Sequence, residues 1–407
     1  MNNKSFVRHI PYIVSGLFFI ASMYFWMYKY PAHLAFQEQA QLFLLTGDYF
    51  LPFLEYPSGI ARYFGEFLTQ FFYEIWWGAA IISIIIVAIY ALSFSIISRE
   101  LHGRKFLCTF LATLPAAFST LFMLDRFSLL AMPVALLVSL ASIIAYQRWL
   151  KNINNKTAKH TIIIVSIAVL YWVLGAISFI FGLFIAITEI FQKRDIIAIA
   201  HIATISILPI LAYKVVPSPL QRLYTSNFYY KIMDERPSFK YDPNDEEALL
   251  YSYFSRYKKW DATLKRAHKS IPADIASKQV VLHALAEKDL LLEKLFDYPV
   301  LSKKDLIWGQ LSEMAEATTV SDLFFTLGMI NQSEVYIYNM QQLYFGQSVR
   351  AFQRLVECNI IKSDYRVAQK YINALKKHFR PTEAYKTNYL IIVTDIEKSI
   401  ILEIDGA

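Results

Sequence analysis

The chain has 407 residues, is 56% hydrophobic and 18% charged, and has a mean hydropathy of +0.35, which is too apolar for an ordinary water-soluble protein. The formal charge of +7 does not point to nucleic acid, because many basic residues sit in short connections between apolar runs and no basic block is interleaved with stacking aromatics. The two cysteines, Cys108 and Cys358, fall in different parts of the chain without CxxC or Cys–His spacing, so neither a disulfide framework nor a metal site is read, and no cofactor is expected.

Apolar runs of nearly bilayer length predict helical spans at about 10–30, 76–97, 106–124, 128–149, 161–174, 176–191 and 196–214, since a bilayer leaves no water for unpaired backbone groups. The first is expected to be retained. It runs into Tyr24, Phe25, Trp26, Tyr28 and Tyr30 with no small-residue cleavage site, and so ends as an interfacial aromatic belt. The stretch 161–191 is too long for one span and short for two. Basic residues on both sides of it are satisfied together if the chain turns near Gly175. Eleven basic residues then lie on the inner side against Lys29, Arg62 and Arg126 on the outer side. That asymmetry orients the amino terminus to the cytoplasm and the carboxy-terminal half to the periplasm.

Residues 31–75 form an outer loop far longer than a membrane hairpin needs. Ile60, Phe64, Phe67, Leu68, Phe71 and Phe72 fall at helical spacing, opposite Arg62, Glu66 and Gln70. Such a helix is expected to lie in the membrane interface with its apolar face down. Trp26, Arg62, Glu66, Phe67, Trp76, Trp77 and Arg126 are therefore the expected interface residues. The Asp125-Arg126 turn reads either as a solvated corner or as an acid facing a cavity beneath the loop. His160 and His201 flank spans and are expected to be satisfied or interfacial, and Glu189 interfacial.

Past a linker at 215–240, with Pro217, Pro219, Pro237 and an aromatic anchor from Tyr224 to Tyr230, residues 241–407 become rich in Lys, Asp and Glu. Helical periodicity continues, with polar turns near Lys258-Lys259, Glu287-Lys288, Asn331-Gln332 and Lys362-Ser363. A repeat of about 30–34 residues is implied, with an insertion around Pro299–Thr319. Phe352, Leu355, Ala368, Ile372 and Leu375, with Asp364-Tyr365 at the turn and Pro381 closing the unit, resemble a tetratricopeptide-type repeat. Leu250, Phe254 and Lys259-Trp260-Asp261 carry the same resemblance in the first unit. Stacked helix pairs of that kind imply a concave surface for another chain.

No phosphate loop, dinucleotide fingerprint, GxSxG or HExxH occurs. The layout of residues 1–214 nonetheless resembles the GT-C-type membrane glycosyltransferases: an acid early in a long first outer loop, an interfacial helix and an outer helical domain. The Tyr56-Pro57-Ser58-Gly59 stretch is similar to the Pro-Gly turn of some members, without the preceding His and without an Asp-x-Asp. This resemblance implies Glu38 as general base, Asp48 as runner-up, Asp125 as helper, and a polyprenyl-phosphate lipid as sugar carrier.

Over both halves, the chain resembles an uncharacterised family of bacterial membrane proteins. The resemblance rests on Glu38-Gln39-Ala40-Gln41-Leu42-Phe43-Leu44, Gly65-Glu66-Phe67-Leu68-Thr69-Gln70-Phe71-Phe72-Tyr73 and Leu327-Gly328-Met329-Ile330-Asn331. The expectation is therefore an all-α protein, a polytopic transmembrane bundle of about seven spans followed by a soluble tetratricopeptide-like domain. Its expected role is to bind membrane lipids and a protein partner at the cell envelope, with lipid-linked glycosyl transfer as the alternative.

Overall fold

The computed structural model describes residues 3–101, 104–150, 153–193, 196–226, 230–231, 239–297, 314–343 and 348–377. The chain separates into two compact units. The first comprises Met1–Lys29 and Thr46–Tyr241, the second Tyr30–Leu45 and Asp242–Ala407. This differs from a linear division at 214 and 240 in two respects. Part of the first long loop belongs to the second unit, and the segment expected to be a linker belongs to the first.

In the first unit, α1 (Asn3–Tyr24) runs into a π turn at Phe25–Lys29. The segment of the second unit follows as α2 (Pro31–Gln39), after which the chain returns through α3 (Gly47–Phe50) and α4 (Gly59–Thr69). The long apolar helices are α5 (Ile75–Glu100), α6 (Lys105–Phe122), α7 (Ala131–Arg148), α8 (Lys156–Leu174), α9 (Phe179–Lys193) and α10 (Ile199–Tyr213). Six helical stretches among the described residues are long and apolar enough to cross a membrane, and the fifth runs from Lys156 to Phe191. That fifth stretch is folded double. Gly175 sits at φ +71°, ψ −151°, and opens a 3-10 turn to Ser178. The two arms then run back along each other, so that Gly182 faces the Ile167 side chain and Lys159 reaches Glu189 at 2.6 Å.

Helices this apolar on all sides pack here through small residues that let backbones approach. Ala79, Ala112, Ala116, Ala135 and Ser139 are fully buried, and Ser83 donates to Ser22 across α5 and α1 at 2.9 Å. Helix α5 packs on α1, α6 and α7, while α10 packs on α8 and α9.

Helix α4 lies on α7 and α8 with its polar and small face inward. Ala61, Gly65, Glu66, Thr69 and Gln70 are buried, whereas Phe64 is exposed. A Cβ on Gly65 would stand 2.5 Å from the Ala131 nitrogen, so a larger residue would hold these helices apart. On the expected apolar face, Phe64 is exposed, Ile60, Phe67, Leu68 and Phe71 are half-buried and Phe72 is buried, while the polar face finds partners inside the unit.

The segment expected to be a linker is anchored. It forms α11 (Leu220–Thr225), with Leu223 fully buried against Tyr171, Ala212 and Val216. Tyr230 is buried and donates its hydroxyl to the Leu174 carbonyl. Pro237 and the middle of the aromatic anchor lie outside the described residues.

In the second unit, α12 (Pro243–Arg256) and α13 (Trp260–Lys269) form one hairpin, and α14 (Ile275–Glu287) and the short α15 (Leu291–Lys294) another. Helices α16 (Met314–Thr326) and α17 (Ile330–Leu343), then α18 (Val349–Ile361) and α19 (Tyr365–Lys376), complete the series. All four hairpins turn in the same way. A residue in the left-handed region, Lys258, Asp289, Gly328 or Ser363, donates its N–H three residues back. The next N–H donates five residues back at 2.8–2.9 Å, so the last carbonyls of the first helix are satisfied. The third turn is thus at Gly328, not at Asn331-Gln332, which are exposed residues in the first turn of α17. Polar character suggested the wrong site there. Backbone freedom marks the right one, because glycine enters the left-handed region at no steric cost.

Of the residues expected to pack in the last unit, Phe352, Leu355, Ala368 and Ile372 are buried and Leu375 is half-buried. In the first hairpin, Leu249, Tyr251 and Trp260 are buried, with Leu250 and Phe254 only half-buried. Pro381 and most of the expected insertion around 299–319 lie outside the described residues.

Candidate functional site

Helix α2 has almost no means of standing alone. Pro31 opens it, Tyr30 gives no side-chain cap, and His33, Gln37, Glu38 and Gln39 put polar groups around it. All residues from Ala32 to Gln39 are nevertheless buried, so each polar group must find a partner or cost free energy. The helical hairpins supply those partners. Glu246 of α12 accepts from the Ala32 N–H at 2.8 Å and caps the amino end of α2. Arg256, at the other end of α12, reaches the Glu38 carboxylate at 3.3 Å. Ser348 donates to the Gln39 carbonyl and Arg350 to the Gln39 side-chain oxygen, each at 2.9 Å. Within α2, His33 and Gln37 share a 3.1 Å hydrogen bond.

A second layer holds Arg350 in place. Its guanidinium donates to Ser252 at 3.1 Å and pairs with Asp322, which also accepts from Arg354 at 2.7 Å. Burial drives the Asp322 carboxyl toward its neutral form, but the flanking Arg350 and Arg354 charges prevail and hold its pKa below the usual range. Glu246 goes the other way. Burial pushes it up to about 8, against the lowering effect of the Ala32 and His33 backbone N–H groups. The void beside α2, lined by Phe36, Gln39, Leu249 and Ser252 among others, is about 10 Å³, about the space of one water.

The other two acids singled out in the sequence are in the first unit. Asp48 is exposed in the first turn of α3. Its neighbour Tyr49 is the engaged residue, donating to Glu66 at 2.5 Å, and Glu66 also accepts from Arg62 at 2.8 Å. Burial and the adjacent Glu66 charge raise the Tyr49 pKa well above its ordinary value. Asp125 is buried, caps its own turn through the Phe127 N–H at 2.9 Å, and pairs with the fully buried Lys231 at 2.9 Å. Lys231 also forms an antiparallel bridge with Ser128. Nothing in the sequence links positions 125 and 231, so Lys231 carries no signal there as a partner of Asp125. Glu38, Asp48 and Asp125 thus engage Arg256, solvent and Lys231 respectively.

The expected interface residues divide. Trp76 and Trp77 are each 47% exposed and stack at 4.1 Å. Phe67 is half-buried, edge-on to Phe71. Arg126 is half-buried, its guanidinium over Phe127. Trp26 is fully buried and Glu66 is 1% exposed, so these two serve the interior. Glu189, expected at the interface, is fully buried between Lys159 and the Tyr146 hydroxyl. His160 and His201 satisfy each other across α8 and α10 at 3.2 Å.

The geometry defines an all-α protein with two parts: a bundle of membrane-length apolar helices, and a helical-hairpin unit completed by a segment from the first long connection. Within that class, the chain belongs to a family of unknown function, DUF6057, whose sequence profile matches residues 6–397. No curated protein and no solved structure matches the chain.

Proposed function

We propose that the protein resides in the bacterial inner membrane with its amino terminus cytoplasmic, and that a tetratricopeptide-like periplasmic domain binds a protein partner at the cell envelope. The six apolar stretches and the eleven-to-three asymmetry of basic residues support the placement. The four equivalent turns and the buried register of α18 and α19 support the repeat reading. The observation that carries the choice of a binding protein over a glycosyltransferase is the state of Glu38. Its carboxylate is 2% exposed and is engaged by Arg256. A general base needs a substrate hydroxyl within hydrogen-bond reach, and this surrounding supports a structural ion pair instead.

Double substitution separates the two roles. Glu38→Leu alone removes the carboxylate that the largely buried Arg256 guanidinium reaches and is expected to lower abundance and complementation of a deletion strain. Glu38→Leu with Arg256→Leu is expected to restore both, because a buried pair is often replaceable by apolar residues of similar volume. A double variant that is abundant yet inactive would return Glu38 to a catalytic role.

A further inference from the structure

An open apolar groove of about 550 Å³ runs between α8 and α10, lined by Val169, Tyr171, Trp172, Leu208, Leu211 and Val215 among others. Its size is within the roughly 300–1,000 Å³ of ligand pockets. The two polar tips in its wall are already engaged: Tyr171 donates its hydroxyl to the Leu223 carbonyl at 3.1 Å, and Trp172 its indole N–H to the Leu54 carbonyl at 2.9 Å. What remains for an occupant is hydrocarbon surface. Val169, Leu211 and Val215 are each more than half exposed, so the groove opens sideways from the helices, not into the bundle. Both walls belong to stretches long and apolar enough to cross a membrane. Lys214, exposed at the carboxy end of α10, stands next to the lining residue Val215.

We propose that this groove is a binding site for one anionic phospholipid, with an acyl chain along α8 and α10 and the phosphate at Lys214. The site rests on the reading that these helices are embedded in a bilayer. A lipid chain matches a groove without polar demand, and its charged end matches the exposed Lys214 beside the lining residue Val215. Basic residues near an anionic lipid surface each contribute enough to change occupancy about fivefold.

The test uses the full-length protein in vesicles of phosphatidylcholine with phosphatidylglycerol, and a phosphatidylglycerol probe carrying a photoactivatable acyl chain. Labelled positions are mapped by peptide mass spectrometry. The expected result is saturable labelling of 168–173 and 208–215, competed by unlabelled phosphatidylglycerol. Lys214→Gln should reduce it about fivefold. Ala168→Phe, which fills the groove, should abolish it while labelling around the exposed Val138 on α7 stays unchanged. Val169→Trp, at an exposed position, blocks the same groove without burdening the fold. Equal labelling by a phosphatidylcholine probe, or groove labelling indifferent to all three substitutions, would overturn the site and leave the membrane reading standing. Absence of labelling from every apolar stretch would overturn the membrane reading itself.

Discussion

Lys159 Nζ stands 2.6 Å from Glu189 Oε2, although one straight helix through both residues would hold them about 45 Å apart. Their contact closes the α8–α9 hairpin opposite Gly175, with both side chains almost fully buried. Removing one partner of a buried pair strands the other charge and typically costs about 3–5 kcal/mol. Lys159→Met alone should therefore destabilise the protein strongly in denaturant unfolding in detergent. Adding Glu189→Leu should recover most of the loss. Losses that simply add in the double variant would mean the two residues are not coupled.

The turn at the other end of that hairpin depends on one glycine. A Cβ on Gly175 would meet Ser226 Oγ at 2.6 Å, Ser58 Cβ at 2.7 Å and the Tyr230 hydroxyl at 2.9 Å. Its φ of +71° with ψ of −151° is also a combination that side-chain-bearing residues rarely adopt. Gly175→Ala should cost about 2 kcal/mol or more through backbone strain and overpacking combined, read as a lower midpoint of thermal unfolding. An unchanged midpoint would mean the hairpin turns elsewhere.

Glu246 makes the hold on α2 sensitive to pH. Its folded pKa of about 8 lies above the ordinary carboxyl value of 4.5, so between those values the folded state keeps a proton that the unfolded chain has released. Stability from this group is therefore full below about pH 4.5 and falls as the pH rises through 8. In the full-length protein, hydrogen exchange of residues 32–39 should accelerate from pH 5 to pH 8 beyond the intrinsic rate change. Glu246→Gln should flatten that dependence, and an identical excess in the variant would assign it to another group.

The second unit should be incomplete without its distant segment. A fragment of residues 242–407 lacks α2, whose buried residues Ala32, Glu38 and Gln39 engage Glu246, Arg256, Ser348 and Arg350, and so leaves Leu249 and Arg350 without that cover. A synthetic peptide of residues 30–45 should bind this fragment in isothermal titration and raise its unfolding temperature. A peptide with Glu38 and Gln39 both replaced by Ala should bind at least about tenfold more weakly, since each loses a hydrogen bond to a charged group worth about 1.5–3 kcal/mol. A fragment equally stable with and without the peptide would mean that α2 is a passenger.

The sequence alone determined the helical class, the run of membrane-length apolar segments, the fold-back near Gly175 and the buried face of α18 and α19. These follow from local quantities: the length of an apolar run, loop charge, and the periodicity that places Leu355 and Ile372 on inward faces. Tertiary structure decided what the polar residues do. Glu38 reads in sequence as an acid in a loop, and only folding brings Arg256 to it from 218 positions away. Asp125 reads as a turn, and only folding places Lys231 against it from 106 positions away. Glu66 reads as the wet side of an amphipathic helix, yet it is buried because Tyr49 and Arg62 meet it there. Burial of an apolar side chain requires only a favourable period. Burial of a charge requires a specific partner, and nothing in the order of residues along the chain names it.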